Sequence, residues 1–251
     1  METHWLEQTE ADLPAHDDWL SPGECLLLRQ KRFPKRHADW RLGRWTAKRA
    51  AAAYLNLPAD PHALRDIEVR AASSGAPELF LAGSPAALTI SISHRAGIAA
   101  CAIAASGVAL GCDLELIEPR DAAFVADYFT DEEQAWIART PEQDRPRLVT
   151  LIWSAKESAL KALREGLRID TRSLAVAFPD DEHAPAASEP HSAIDPWRRL
   201  QVRCDGGEVF QGWWQSTGQF VRTLVGSPPP LPPICFQDGR ASPRSDGLLA
   251  V

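Results

Sequence analysis

Several features that mark common protein classes are missing from this 251-residue sequence. No apolar run approaches the roughly 18–20 residues that a membrane-spanning helix needs. The five cysteines are odd in number and scattered, and no CxxC pair occurs, so neither a disulfide framework nor a zinc site is indicated. The first Lys or Arg is Arg29, so the start lacks the positive region of a secretory signal. These absences predict a cytoplasmic protein.

The common catalytic and phosphate-binding motifs are also missing. P-loop, GxGxxG and GxSxG patterns do not occur. The net charge of −7 argues against non-specific binding to nucleic acid. Positive charge is nevertheless concentrated, because residues 29–49 carry nine of the 27 Lys and Arg residues against one acid, Asp39. This distribution predicts a local anion site for a phosphorylated small molecule or an acidic partner.

The order of helix and strand signals predicts an α+β fold. Helices are predicted at about 22–30, 37–57, 121–129, from Thr130, and at about 142–165; strands are predicted at 65–72, 88–93, 97–104, 108–117, 173–178, 199–204, 208–214 and 219–225. Residues 1–20 are expected to be a loosely ordered lead-in, residues 180–196 a mobile loop, and the Pro-rich tail from Gly226 extended or disordered. No internal repeat is evident.

The strand predicted over residues 108–117 carries two acids on one face. Successive side chains of a strand point to opposite faces, so Asp113 and Glu115 stand on the same face, roughly 6–7 Å apart. A half-buried strand with one solvated face explains this pattern. A two-carboxylate cation site also explains it, with Gly111 keeping the approach clear of bulk.

The long helix and the segment SISH give weaker signals. An apolar stripe runs along one face of the helix, and Glu157 and Lys161 stand on another face at i and i+4. This spacing is typical of an exposed ion pair on the surface of a helix. Trp153 near that face is unusual for a fully solvated helix side. Ser93 and His94 end a predicted strand, where the histidine is either structural or a phosphate ligand.

Four segments together carry a family resemblance. They are RLGRWTAK at 41–48, SISH at 91–94, GCDLE at 111–115 and WSAKESALK at 153–161. In this order the sequence resembles the 4′-phosphopantetheinyl transferase superfamily, of the surfactin-activating type, over about residues 20–225. The resemblance implies two similar α/β subdomains that form a pseudo-dimer within one monomeric chain. The implied divisions are a lead-in at 1–20, subdomains at 21–110 and 111–226, and a tail at 227–251.

The resemblance also implies roles for particular residues. Asp113, Glu115 and Glu157 would hold Mg²⁺, and the catalytic pair would be Glu157 and Lys161. The residues that would bind coenzyme A are Arg36, Arg41, Lys48, Ser93, His94 and Lys161, with help from Lys35 considered as well. Glu133 matches a further acidic position near the site. Ala76 departs from the family, because many members have a lysine there.

The implied activity is transfer of the 4′-phosphopantetheine arm of coenzyme A to a serine of an apo acyl or peptidyl carrier domain. The carrier is expected to dock near Tyr128 and Phe129, and no nucleic acid or membrane partner is expected. Two alternatives stay open. One is a module that binds coenzyme A without turnover, and the other is a metal-dependent phosphohydrolase.

Overall fold

The computed structural model describes residues 1–165, 168–179, 196–237 and 240–241 of the chain. The strands are β1 (His4–Thr9), β2 (Ile67–Ala71), β3 (Pro77–Leu81), β4 (Ser84–Pro85), β5 (Leu88–Arg95), β6 (Ile98–Ala105), β7 (Ala109–Leu116), β8 (Leu174–Ala177), β9 (Arg198–Cys204), β10 (Val209–Thr217), β11 (Phe220–Ser227), β12 (Ile234–Gln237) and β13 (Arg240–Ala241). The helices are α1 (Pro22–Arg29), α2 (Pro34–Leu55), α3 (Pro61–Arg65), α4 (Ala122–Tyr128), α5 (Asp131–Arg139) and α6 (Arg145–Leu163). The mixture confirms the predicted α+β class, although most of the loop predicted at 180–196 lies outside the described residues.

The chain forms two lobes, and strands from both the beginning and the later part of the sequence belong to the first. The first contains a five-stranded sheet of order β13-β12-β1-β6-β5 and a small sheet of order β2-β3-β4. The second contains a five-stranded sheet of order β7-β11-β10-β9-β8. Helix α2 packs on β6 and β1 in the first lobe, and α6 packs on β7 and β11 in the second. Each long helix therefore buries its apolar face on the sheet of its own lobe.

The first lobe contains a buried ion pair that joins α1 to α2 and to β2. Ser21 begins α1 with a capping box in which its hydroxyl accepts from the Glu24 amide and Glu24 accepts from the Ser21 amide. The other Glu24 oxygen accepts from the Val69 amide. Lys48 Nζ lies 2.5 Å from Glu24 Oε2 and also donates to the Trp19 carbonyl, with both charged side chains fully buried.

The second lobe repeats this arrangement contact for contact. Thr130 and Glu133 form the capping box of α5, and Glu133 also accepts from the Val176 amide. Lys156 Nζ lies 2.7 Å from Glu133 Oε2 and donates to the Tyr128 carbonyl. The segments WTAK at 45–48 and WSAK at 153–156 are therefore an internal repeat, and the sequence-based conclusion that no repeat exists is wrong.

The lobes meet through small and apolar side chains. Ala100, Ala102 and Ala104 of β6 pack in one buried cluster with β7 and β11, and Trp5 belongs to the same cluster. Glu7 of β1 forms a two-pronged ion pair with Arg222 of β11, with the Nη2–Oε2 contact at 2.8 Å. The short β6 side chains let the sheets approach, and the ion pair adds a directional contact.

The first residues and the described part of the Pro-rich tail are more ordered than the sequence predicts. Residues 4–9 form β1, which lies inside the first sheet between β6 and β12, so residues 1–20 are not merely a loose lead-in. The tail pairs with the start of the chain, because the Met1 amino group donates to the Pro229 carbonyl and β12 runs parallel to β1. Trp213 Nε1 donates to the Pro230 carbonyl. In the part of the chain that the structure describes, no helix is long and apolar enough to cross a membrane.

Candidate functional site

The site is built where α6 crosses β7. Gly111 permits this crossing, because a Cβ placed there would lie 1.8 Å from the Ser158 carbonyl oxygen and 2.7 Å from the Ala162 amide nitrogen. No side chain fits in that space. The close approach brings the last turns of α6 against the side chain that follows on the same face of β7, Asp113. The sequence analysis expected Gly111 to keep the approach to a cation clear, whereas in the structure its missing side chain makes room for the backbone of α6.

Asp113 is the centre of the site. Its Oδ1 accepts from Ser93 Oγ at 2.8 Å and from Lys161 Nζ at 2.7 Å. Lys161 also donates to the Cys112 carbonyl at 3.0 Å. The structure therefore brings together β5 of the first lobe with β7 and α6 of the second. Ser93 orients Asp113 directly, which the sequence analysis did not anticipate.

The electrostatics of the site follow from crowded acids. Burial and then the negative charge of Asp113 raise the pKa of Glu115 to about 7. The same two causes raise the pKa of Glu157. Burial opposes the charged form of Lys161, yet Asp113 is close enough that the pKa of the ammonium is raised overall. Glu115 and Glu157 both lie in the field of Asp113, and Lys161 forms an ion pair with Asp113.

The donor set suits a hard divalent cation. Asp113 Oδ2 is buried and has no hydrogen-bond partner, which leaves one carboxylate oxygen free to bind a ligand. Mg²⁺ takes oxygen ligands from one or two carboxylates together with substrate phosphates, and a cation would relieve the repulsion between the acids. Among the described residues, however, no three His, Cys, Asp or Glu side chains converge closely enough to hold an ion as they stand.

A basic cleft of about 410 Å³ lies in the first lobe beside this centre. Four cations line it, Lys31, Arg36, Arg44 and Arg70, together with His94 and the acid Asp39. The buried Nε of Arg44 has no hydrogen-bond partner, so a donor in this cleft is unused. Partial burial lowers the pKa of His94, so its imidazole is neutral at pH 7 and can donate or accept one hydrogen bond. The cleft suits an anion with several oxygens.

Two predicted coenzyme ligands do not reach this cleft. Lys48 is fully buried and bonded to Glu24, so the expectation that it binds a phosphate is wrong. Arg41 is paired with Asp17 at 2.7 Å and donates to the Pro14 carbonyl, which directs its guanidinium towards the start of the chain. Lys35 is exposed and pairs with Asp39. Of the predicted cationic ligands in this basic segment, Arg36 lines the cleft.

The sequence analysis missed three cations of the cleft, Lys31, Arg44 and Arg70. Lys31 and Arg44 belong to the basic segment, and helical spacing offered the signal for Arg44, which follows Arg36 by two helical turns plus one residue. Arg70 had no such signal, because a hairpin pairing between β2 and β3 brings it to the cleft. Its guanidinium stacks on Phe80 at 4.0 Å and pairs with Glu68.

A larger groove of about 1020 Å³ adjoins the cleft and runs between the lobes. The two share Gly75, Pro77 and Ile92 in their walls. The turn that contains Ala76 forms one side of this groove, and the last turn of α6, including Lys161, forms another. Basic cleft, groove and acidic centre are therefore neighbours.

An aromatic cluster flanks the other side of the centre. The rings of Phe124, Tyr128 and Trp153 lie 4.9–5.2 Å apart, and Trp153 precedes Glu157 by one helical turn. Tyr128 is 36% exposed, whereas Phe129 is completely buried under Lys156. Phe129 therefore cannot meet a partner, which corrects that part of the docking prediction. Glu133 is likewise a buried structural partner of Lys156 and not a residue of the site.

Fold and site together define a class: a two-lobed α+β protein in which a lysine-neutralised carboxylate lies beside an anion cleft. A family model described as the 4′-phosphopantetheinyl transferase superfamily matches residues 109–209, from the start of β7 to the start of β10. The chain is also similar to 4′-phosphopantetheinyl transferase HetI of Nostoc sp. (strain PCC 7120), at 25% identity over 165 residues, which are 64% of this chain and 67% of that protein. Over these residues the chain is similar to the 4′-phosphopantetheinyl transferase superfamily.

Proposed function

We propose that this chain transfers the 4′-phosphopantetheine arm of coenzyme A to a serine of an apo carrier domain, releasing 3′,5′-ADP. The observation that carries the proposal is the Asp113 centre. Ser93 and Lys161 hold one of its oxygens, the other is buried and unpaired, and an anion cleft lies alongside. The superfamily match spans the same β7 and α6.

Coenzyme A would be held by its phosphates. The cleft formed by Lys31, Arg36, Arg44 and Arg70 suits the 3′-phosphate, because guanidinium groups bond phosphate oxygens in pairs. His94 lines the end of the cleft and would donate to the diphosphate. Arg70 stands on the same hairpin as Ala76 and supplies positive charge where that position has none. Arg41 and Lys48 are left out of this set.

Chemistry would take place between the cleft and the aromatic cluster. The serine oxygen forms a bond to the β-phosphorus of coenzyme A, the bridging P–O bond breaks, and 3′,5′-ADP departs with the electron pair. Lys161 would neutralise charge on the phosphate oxygens. Glu157 would accept the serine proton, and its raised pKa makes it a better base than an ordinary carboxylate. Ligation of a metal by Glu157 is the competing role.

We further propose that Mg²⁺ is held by Asp113, Glu115 and Glu157. When bound, such an ion withdraws charge from the diphosphate and orients it. The protein contributes the buried Asp113 oxygen, and the fixed angle between β7 and α6 that Gly111 allows.

The carrier domain would dock on the exposed side of the aromatic cluster, at Tyr128 and the ring edges of Phe124 and Trp153. We assign the protein to the surfactin-activating type and propose that it is cytoplasmic. We also propose that it is a monomer, because both lobes are in one chain. The proposed lobe boundary is near residue 110. The acidic net charge of −7 supports partners other than nucleic acid and membrane.

The test is to incubate the protein with coenzyme A, Mg²⁺ and an apo carrier, then to weigh the carrier by mass spectrometry. We expect a gain of one phosphopantetheine, lost in D113N and in E157Q. Y128A should raise the KM for the carrier and leave the KM for coenzyme A unchanged. Binding of coenzyme A without a mass gain would indicate the non-catalytic module, and release of 3′,5′-ADP without carrier would indicate the phosphohydrolase.

A further inference from the structure

Two arginines lie between the carboxylates of Glu115 and Glu118 at the end of β7. Arg95, the last residue of β5, donates through Nη2 to Glu118 Oε1, and its Nε is 3.4 Å from Glu115 Oε2. Arg120 Nη2 is 3.1 Å from Glu118 Oε1 and 4.0 Å from Glu115 Oε2. Both guanidiniums are therefore closer to Glu118 than to Glu115.

The consequence for Glu115 is unusual. Its Oε2 is buried and accepts no hydrogen bond, although two guanidiniums are within 4.0 Å. A charge-assisted bond from Arg95 to this oxygen needs only a small shift of the side chain, which is partly exposed. Glu118 holds both arginines by the stronger bonds and so keeps them from closing on Glu115. Arg120 is further restrained by stacking over Phe124 at 5.1 Å.

A carboxylate bonded to two guanidiniums is a poor metal ligand, because the cations repel a divalent ion and occupy its lone pairs. If no positive charge lay nearby, the negative charge of Asp113 would disfavour the ionised form of Glu115 more strongly. The observed distances from the two guanidiniums to Glu115 lie between these two cases.

We propose that Glu118 is a positioning residue that diverts Arg95 and Arg120 from Glu115 and thereby keeps the Glu115 carboxylate available to a divalent cation. The inference rests on the proposed function, since it concerns the proposed metal ligand. Glu118 itself would touch neither the ion nor the substrate; it acts through the two arginines. Loss of its charge would let Arg95 pair with Glu115 and compete with the ion.

The test measures Mn²⁺ binding to the full-length protein by electron paramagnetic resonance of the free ion, without coenzyme A or carrier. We expect E118Q to weaken binding about tenfold, as expected for one new charge-assisted hydrogen bond to the ligand carboxylate. The double variant R95Q/E118Q should return to within about threefold of the wild type, because Arg95 is gone and Arg120 is still held by its stacking over Phe124. E142Q is the matched control for net charge, since Glu142 is exposed at the start of the segment before α6. E118D, which keeps the charge, should bind Mn²⁺ as the wild type does.

R95Q alone keeps the inference testable if E118Q does not fold. R95Q should bind Mn²⁺ at least as tightly as the wild type. If Arg95 instead held Glu115 in position for the ion, R95Q would bind Mn²⁺ more weakly. Equal Mn²⁺ affinities in E118Q and E142Q, or no recovery in the double variant, would overturn the proposal. Carrier modification is assayed separately, so failure here leaves the transferase function standing. A wild type that binds Mn²⁺ but modifies no carrier overturns the function alone.

Discussion

Replacing Lys48 by Met tests whether this lysine is structural or a coenzyme ligand. The substitution keeps the length and apolar stem of the side chain but removes the ammonium that pairs with Glu24 and donates to the Trp19 and Leu64 carbonyls. Breaking a buried ion pair from one side costs about 3–5 kcal/mol, because the remaining charge is left without a partner. For a chain of this size, that loss lowers Tm by roughly 6–20 °C.

The assay is chemical and thermal unfolding beside a coenzyme A titration. K35M is the matched control, because Lys35 lies in the same basic segment and pairs with Asp39, but its side chain is 82% exposed. An exposed pair contributes at most about 1 kcal/mol, so K35M should unfold within a few degrees of the wild type. The double variant E24Q/K48M should be more stable than K48M by about 1 kcal/mol or more, since no buried charge remains.

Coenzyme A affinity decides between the two roles. K48M measured below its own Tm should bind coenzyme A with the wild-type Kd, because Lys48 is separated from the basic cleft by complete burial. A variant of normal stability that has lost coenzyme A affinity would refute the structural role and restore Lys48 as a ligand.

Three further predictions concern the site and the chain end. G111A should lose transfer activity and stability together, measured by carrier modification and by Tm, because its Cβ would force the Ser158 carbonyl and α6 outwards. Removing the charge of Glu115 should stabilise the metal-free protein at pH 8 but not at pH 4.5. Its pKa is about 7 in the folded state against an ordinary 4.5, so the stability that it contributes is full below pH 4.5 and lost as the pH rises through 7. Urea unfolding of E115Q at both pH values checks this, and an equal difference at the two would contradict it. A chain that ends at Ser227 should give less soluble protein and a lower Tm than one that ends at Gln237, because it lacks the strand that pairs with β1.

Local patterns were enough to predict the elements that form the site. Strict alternation in β7 placed Asp113 and Glu115 on one face, and the structure buries Leu110, Cys112 and Leu114 of the other face between the lobes. The long helix was predicted from its apolar stripe, and α6 begins at Arg145 with a proline in its first turn. Short-range periodicity decides such elements, so the sequence alone is informative about them.

Long-range pairing explains what the sequence could not predict. β1 is held by β6 about 90 residues later and by β12 about 230 residues later, so no turn signal next to it indicates a strand. The identities of the cleft cations were missed for a related reason. A basic segment reports charge but not burial. Lys48 follows Arg44 by one turn of α2, yet Lys48 is completely buried whereas Arg44 lines the cleft. The repeated W-[ST]-A-K segment carried the missing signal, because a lysine at the same position in both lobes favours a structural role common to both.

That repeat also explains why, among the described residues, the acidic centre lies in the second lobe and has no equivalent in the first. Counting from the buried lysine of each lobe, Glu157 and Lys161 of α6 correspond to Arg49 and Ala53 of α2. The first lobe keeps the buried ion pair that shapes the scaffold but has neither the acid nor the lysine of the site. Its own contribution is the anion cleft and Ser93, which bonds across the interface to Asp113. Under the proposed function, one lobe would bind the anionic part of the ligand and the other would carry the reacting groups, so neither lobe alone would contain a complete site.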